Sequence, residues 1–160
     1  MNTTATLNPF ADYAAAPAAE NFQPQTIAEL KDRRAEYGRG VEPEWDEART
    51  ANWLMDVAAL DLAITMAADG VQILMARDED GLYFATAEPV WRVFSPCGAR
   101  RWFTASDAQT ARVEAEAWVA EGDWEDGEEV HAFCEPFTGL DEDGDATTDD
   151  WKREGFTVRG

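Results

Sequence analysis

Basic residues are scarce in this chain: 13 Lys and Arg, of which only Lys31 and Lys152 are lysines, stand against 33 Asp and Glu. The formal net charge is −20. A surface so short of cations repels nucleic acid and anionic bilayers through the same Coulomb term that draws it to a basic partner. Direct nucleic-acid binding and a membrane role are therefore disfavoured. The lack of Lys beside abundant Ala reads as the codon bias of a GC-rich genome and carries no functional weight.

Histidine and cysteine are almost absent. His131 is the single histidine, so any Ser-His-Asp or Cys-His nucleophile has to be built around it. Neither Cys97 nor any serine sits in a recognisable nucleophile elbow. The two cysteines, Cys97 and Cys134, do not form a disulfide framework; reduced thiols suit a cytoplasmic protein of a bacterial host cell. With His131 they offer three zinc ligands, where a structural site takes four with paired spacings. No Gly-rich phosphate loop appears, since Asp80-Gly81 and Glu121-Gly122 read as turns. Catalysis, metal and cofactor are not expected.

Long apolar runs are missing too. Val57 to Ala68 is broken by Asp61 and is shorter than a bilayer span. Met1 to Gln25 has neither a basic n-region nor a continuous apolar stretch, so no targeting segment is expected there.

What is present is enough for a core. Apolar residues make up 45% of the 160, with seven Trp and eight Phe, far more aromatic than a disordered acidic chain. Residues 1–24 lack periodicity and read as a flexible arm, with Phe10, Tyr13 and Phe22 available for docking. Residues 25–160 read as a single acidic α+β domain, loop-rich over 138–153.

Thr26-Ile27-Ala28-Glu29 is a capping box that starts a helix running to about Tyr37. A longer helix follows Pro43; its stripe of Trp53, Val57, Leu60, Ile64 and Ala67 is expected to face the core. Strands are expected at 71–75, 82–86, 90–94 and 101–104, the first two joined by the Asp78-Glu79-Asp80-Gly81 turn. Ser106-Asp107-Ala108-Gln109 opens a third helix through about Ala120, and His131 to Phe137 is one more strand. This order gives an α+β fold: N-terminal helices, an antiparallel meander of three to five strands, and a helix packed on one face.

The acids concentrate at one end. From Asp107 to Asp150 there are sixteen of them and one Lys or Arg, Arg112. Asp107, Glu114 and Glu121 are seven apart on the third helix, and so project from one side at about 10 Å intervals. Glu121, Asp123, Glu125, Asp126, Glu128 and Glu129 follow, with Trp124 among them as an apolar anchor. Asp141, Glu142, Asp143 and Asp145 form a second cluster. Together these thirteen residues are the expected partner-binding surface. Duplex DNA carries about one charge per 1.7 Å of axis, so fixed carboxylates in such rows suit a basic groove built for phosphate.

Asp141-Glu142-Asp143-Gly144-Asp145 begins like a calcium loop, but Ala146 stands where the sharp-turn Gly belongs and Lys152 where the bidentate Glu belongs. A metal role is not expected of it. Arg100-Arg101 beside Trp102 forms a basic cluster that serves either internal pairing or local recognition.

In size, charge and acid clustering, the chain resembles the small acidic inhibitors that phages and plasmids use against host defence, the anti-CRISPR and anti-restriction proteins that imitate DNA. That resemblance implies a DNA mimic occluding the nucleic-acid groove of a defence complex. The alternative is an antitoxin, immunity or adaptor protein that neutralises a basic protein. The third reading is an acidic enzyme or ligand-binding domain, for which the sequence supplies no convincing site; a solubilising or halophilic surface is a rival reading of the same charge.

Overall fold

The computed structural model describes residues 7–11, 17–37, 42–79, 81–95, 98, 100–122, 124–125 and 127–159. It has an α+β architecture, as expected, with its strands divided between two antiparallel sheets. The chain clusters into two compact units, Met1–Ala87 with Gly139–Thr147, and Glu88–Thr138 with Thr148–Gly160.

In the first unit, α1 (Ile27–Ala35) starts as its capping box dictates. The Thr26 hydroxyl accepts from the Glu29 amide at 3.1 Å, and the Glu29 carboxylate accepts from the Thr26 amide at 3.2 Å. α2 (Glu47–Ala68) begins later than Pro43 because Asp46 caps it, its Oδ1 accepting from the Arg49 amide at 2.8 Å. By length and composition α2 is apolar enough to cross a membrane. In the fold it packs on α1 and on the strands β3 (Ile73–Asp78) and β4 (Gly81–Thr86).

The buried positions of α2 are Ala59, Leu60, Ala63 and Met66. Of the expected stripe only Leu60 is fully buried; Trp53, Val57, Ile64 and Ala67 are half-buried. The core-facing line is thus rotated onto small residues, whose methyl groups allow close approach.

β3 and β4 form the expected hairpin, and two short strands flank it: β1 (Asn8–Pro9) on β4 and β2 (Gln23–Gln25) on β3. Phe10 is fully buried, its amide donating to the Phe84 carbonyl at 2.9 Å, and Phe22 packs with Ala76, Tyr83 and Ala85.

The second unit is built on β5 (Val90–Phe94), β6 (Arg100–Thr104), β7 (Glu129–Leu140) and β9 (Glu154–Arg159); β5 pairs with β6 and β7, and β7 with β9. One face carries Trp91, Val93, Val130, Ala132, Cys134 and Phe156 against Ala111, Ala115 and Val119 of α3 (Ala108–Ala120). The other carries Arg92, Phe94, Trp102, Phe133, Glu135 and Phe137, as strand alternation requires. β7 ends in the first unit, where a turn at 141–145 leads into β8 (Ala146–Thr148).

Candidate functional site

α3 sets the acidic row. Its N-cap is Asp107, one residue later than the Ser106 box implies, with Oδ1 accepting from the Thr110 amide at 2.8 Å. That bond holds the Asp107 carboxyl below its ordinary value of 3.8. Glu121 closes the helix at the other end. Since Ala111, Ala115 and Val119 face the core, Asp107, Glu114 and Glu121 share one flank and all three are exposed. The one Arg of the helix, Arg112, lies on the other flank and pairs with Glu116 at 2.9 Å. Glu114, Glu121 and Glu125 form no ion pair among the described residues, so the row keeps its charge facing water.

Beyond the helix the acids take different roles. Glu128 turns back on the loop, its Oε2 accepting from the Glu125 amide at 3.3 Å, and Glu129 meets Arg159 at 3.4 Å. Asp123 and Asp126 lie outside the described residues. Trp124 is half-buried against the α3 core and its indole N–H donates to the Val119 carbonyl at 2.6 Å. It caps the helix end rather than projecting as an anchor. A Cβ at Gly122 would collide with the Trp124 indole at Nε1, so Gly122→Ala is expected to displace the indole and cost about 1–3 kcal/mol. A lowered Tm with a changed near-UV dichroism checks this; an unchanged Tm shows that the indole gives way without cost.

The second cluster belongs to the other unit. Asp141 spends its carboxylate internally: Oδ1 accepts from the amides of Asp143 and Asp145, both at 2.9 Å. This side-chain clasp is how Asp nucleates tight turns, and it explains the calcium-like spacing without a cation. Gly144, at φ 83°, lies against α2, where an added Cβ would meet the Ala58 methyl at 2.6 Å. Glu142, Asp143 and Asp145 are exposed on that turn. The acid-rich third therefore divides into an α3 row in one unit and a hairpin tip in the other.

Two further features belong to the second unit. Trp151 is 94% exposed in a short 3-10 helix behind Asp149 and Asp150. On β7, Glu135 is only 1% exposed and collects four donors. Its Oε1 accepts from Arg92 Nη2 at 2.6 Å and Thr148 Oγ1 at 2.7 Å. Its Oε2 accepts from Arg153 Nε at 2.9 Å and Nη2 at 2.8 Å. Burial pushes the Glu135 carboxyl up, but the bonds from Thr148, Arg92 and Arg153 outweigh it and hold the group below its ordinary 4.5.

His131 and Cys134 project from opposite faces of β7. His131 is exposed, with Nδ1 2.9 Å from Thr157 Oγ1, whereas Cys134 is fully buried. Burial, then the charge of Glu154, pushes the Cys134 thiol up to about 11, which leaves it a poor nucleophile. Cys97 lies outside the described residues, as does part of the Arg100-Arg101 turn. Arg100 and Arg101 themselves sit on β6. No protein-family model matches the chain, and no curated protein or solved structure is significantly similar to it.

Proposed function

We propose that this chain is an acidic nucleic-acid mimic that occludes the DNA- or RNA-binding groove of a host defence complex, in the manner of anti-CRISPR or anti-restriction inhibitors. The observation that carries this reading is the unpaired acidic flank of α3. Glu114 and Glu121, with Glu125 just beyond, stay exposed and without an ion pair among the described residues, while Arg112 is committed to Glu116 on the other side. The helix fixes the backbone from which these side chains project, so what is left to order when a basic groove closes over them is their rotamers and not the chain. The interval of about 10 Å along the axis equals roughly three phosphate steps on one strand.

The mechanism is competition for the groove. Release of counterions from the carboxylate array favours docking as it favours the real ligand, and binding weakens as salt rises. No cofactor or covalent step takes part.

A second reading, neutralisation of a basic protein such as a toxin, draws on Trp151. An aromatic ring 94% exposed beside Asp149 and Asp150 is the type of side chain that fills a pocket on a protein partner. An affinity capture from bacterial lysate, washed at low and high salt with nuclease treatment, separates the two. Mimicry predicts a nucleic-acid-binding complex that is lost at high salt and blocked by added DNA or RNA. A salt-resistant partner that handles no nucleic acid rejects mimicry in favour of the second reading.

A further inference from the structure

The first unit contains an open cavity of about 500 Å³ that has no part in the acidic row. Three aromatic rings line it: Tyr37 beyond α1, Trp45 before α2, and Trp53 on α2. Trp53 is the central ring, 6.0 Å from Tyr37 at 51° and 6.2 Å from Trp45 at 58°. All three are half-buried, so each keeps ring surface open. Three carboxylates, Asp46, Asp56 and Glu79, line the same space.

The acids are held differently. Asp56 accepts from the Tyr37 hydroxyl at 3.0 Å and from the Leu82 amide. Burial raises the Asp56 carboxyl, and those two bonds pull it back toward ionisation. Burial and the Asp56 charge together push the Tyr37 phenol up to about 12, so its proton stays in place to hold Asp56. Glu79 is exposed and forms no ion pair among the described residues.

One cation of the chain already uses this aromatic wall. The guanidinium carbon of Arg49 lies 4.4 Å from the Trp45 ring centroid, a cation–π contact inside the cavity lining. The lining itself carries three carboxylates against that one guanidinium, Arg33 and Arg77 act on Tyr37 from outside it, and the charge of −20 on the whole chain adds an attractive field. A hard metal ion gains nothing from ring faces, since it needs a shell of oxygen ligands. An anion meets both the carboxylates and the negative faces of the rings. A cation that carries methyl groups meets apolar ring surface and opposite charge at once, which is the functional use of aromatic cages.

We infer that the Tyr37–Trp45–Trp53 cavity binds a quaternary or methylated ammonium group. The rings take its methyls, and Asp46, Asp56 and Glu79 balance its charge. The group enters beside the exposed Arg49 and takes the place of its guanidinium on Trp45. This inference does not rest on the mimicry reading, because it uses none of the acids of α3.

The test is an NMR titration of the full chain, following the indole N–H resonances. The probe is tetramethylammonium chloride, with sodium chloride at equal ionic strength as the reference. Trp45→Phe and Trp53→Phe assign the two resonances. The expected result is a saturable shift of Trp45 and Trp53, with Trp151 unmoved. Trp45→Ala and Glu79→Gln are each expected to weaken binding about three- to tenfold; Glu79 is exposed, so that variant keeps the fold. Choline and a peptide bearing trimethyllysine then distinguish a free ligand from a modified protein by which binds tighter. Shifts that match those of sodium chloride, or that never saturate, overturn the inference. Lysine substitutions at Glu114 and Glu121 leave this titration unchanged, so its outcome is independent of the proposed inhibition.

Discussion

Glu135→Ala is expected to be the most destabilising single substitution in the second unit, at about 3–4 kcal/mol. The carboxylate is 1% exposed and is the shared counter-charge of Arg92 and Arg153. Without it two guanidiniums remain on a sheet face among Phe94, Phe133 and Trp102, over which they stack at 5.2 to 5.6 Å. Among the described residues the buried Nε of Arg92 has no acceptor, so none of them offers it a second bond to fall back on. Arg153 is 39% exposed and recovers some hydration, which places the cost at the lower end of the range for broken buried pairs. Urea unfolding of the wild type and Glu135→Ala measures it. A loss under 1 kcal/mol shows that water replaces the carboxylate.

The same group gives the fold a pH dependence of definite sign. The folded-state value of Glu135 lies below its ordinary 4.5. Its contribution is therefore complete above about 4.5 and is lost as the pH falls through the folded value. The stability gap between the wild type and Glu135→Gln should narrow as the pH drops below that point.

Replacing Glu114, Glu121 and Glu125 together with Lys is expected to reduce partner binding at least a hundredfold while leaving the fold intact. All three are exposed and unpaired among the described residues, and surface changes of this kind usually lie within about 0.5 kcal/mol. The net charge falls from −20 to −14, since each reversal adds two. Most of the acidity remains, so a general solubility effect is largely preserved and a loss of binding reports on the row itself. Like charges facing one another across an interface cost several kcal/mol. Matching reversals at Glu20, Glu42 and Glu44, which are exposed in the first unit, should change binding less than fivefold by the additivity of distant charges. Equal losses in both triples mean that only the total charge matters.

Local chemistry was the most legible part of the fold. The reciprocal bonds of Thr26 and Glu29, the alternation of β5 over 90–94, and the hairpin that pairs Asp78 with Gly81 all depend on residues close in sequence. Pairings created by tertiary structure were not legible. β1 and β2 are two and three residues long and exist because β4 and β3 offer free edges. β9 pairs with the first half of β7 between positions as far apart as Glu129 and Arg159. The core line of α2 was misplaced because Ala59 and Ala63 are buried where larger apolar residues were sought. In the site, heptad spacing was enough to find the row of α3, while the fate of each acid depended on donors it met only after folding. Asp141 and Glu128 found loop amides, and Trp124 found the Val119 carbonyl. The Glu135 network joins residues 13 to 43 positions apart, and no spacing rule reaches that far.

The claim of mimicry is tested most directly by asking whether the captured complex can hold this chain and its nucleic acid together. Increasing amounts of the chain are added to the complex bound to labelled DNA or RNA, at several salt concentrations. The account predicts mutually exclusive binding, with displacement that weakens as salt rises and is absent for the Glu114, Glu121 and Glu125 reversal. A stable ternary complex, or displacement by the reversal variant as effective as that by the wild type, contradicts it.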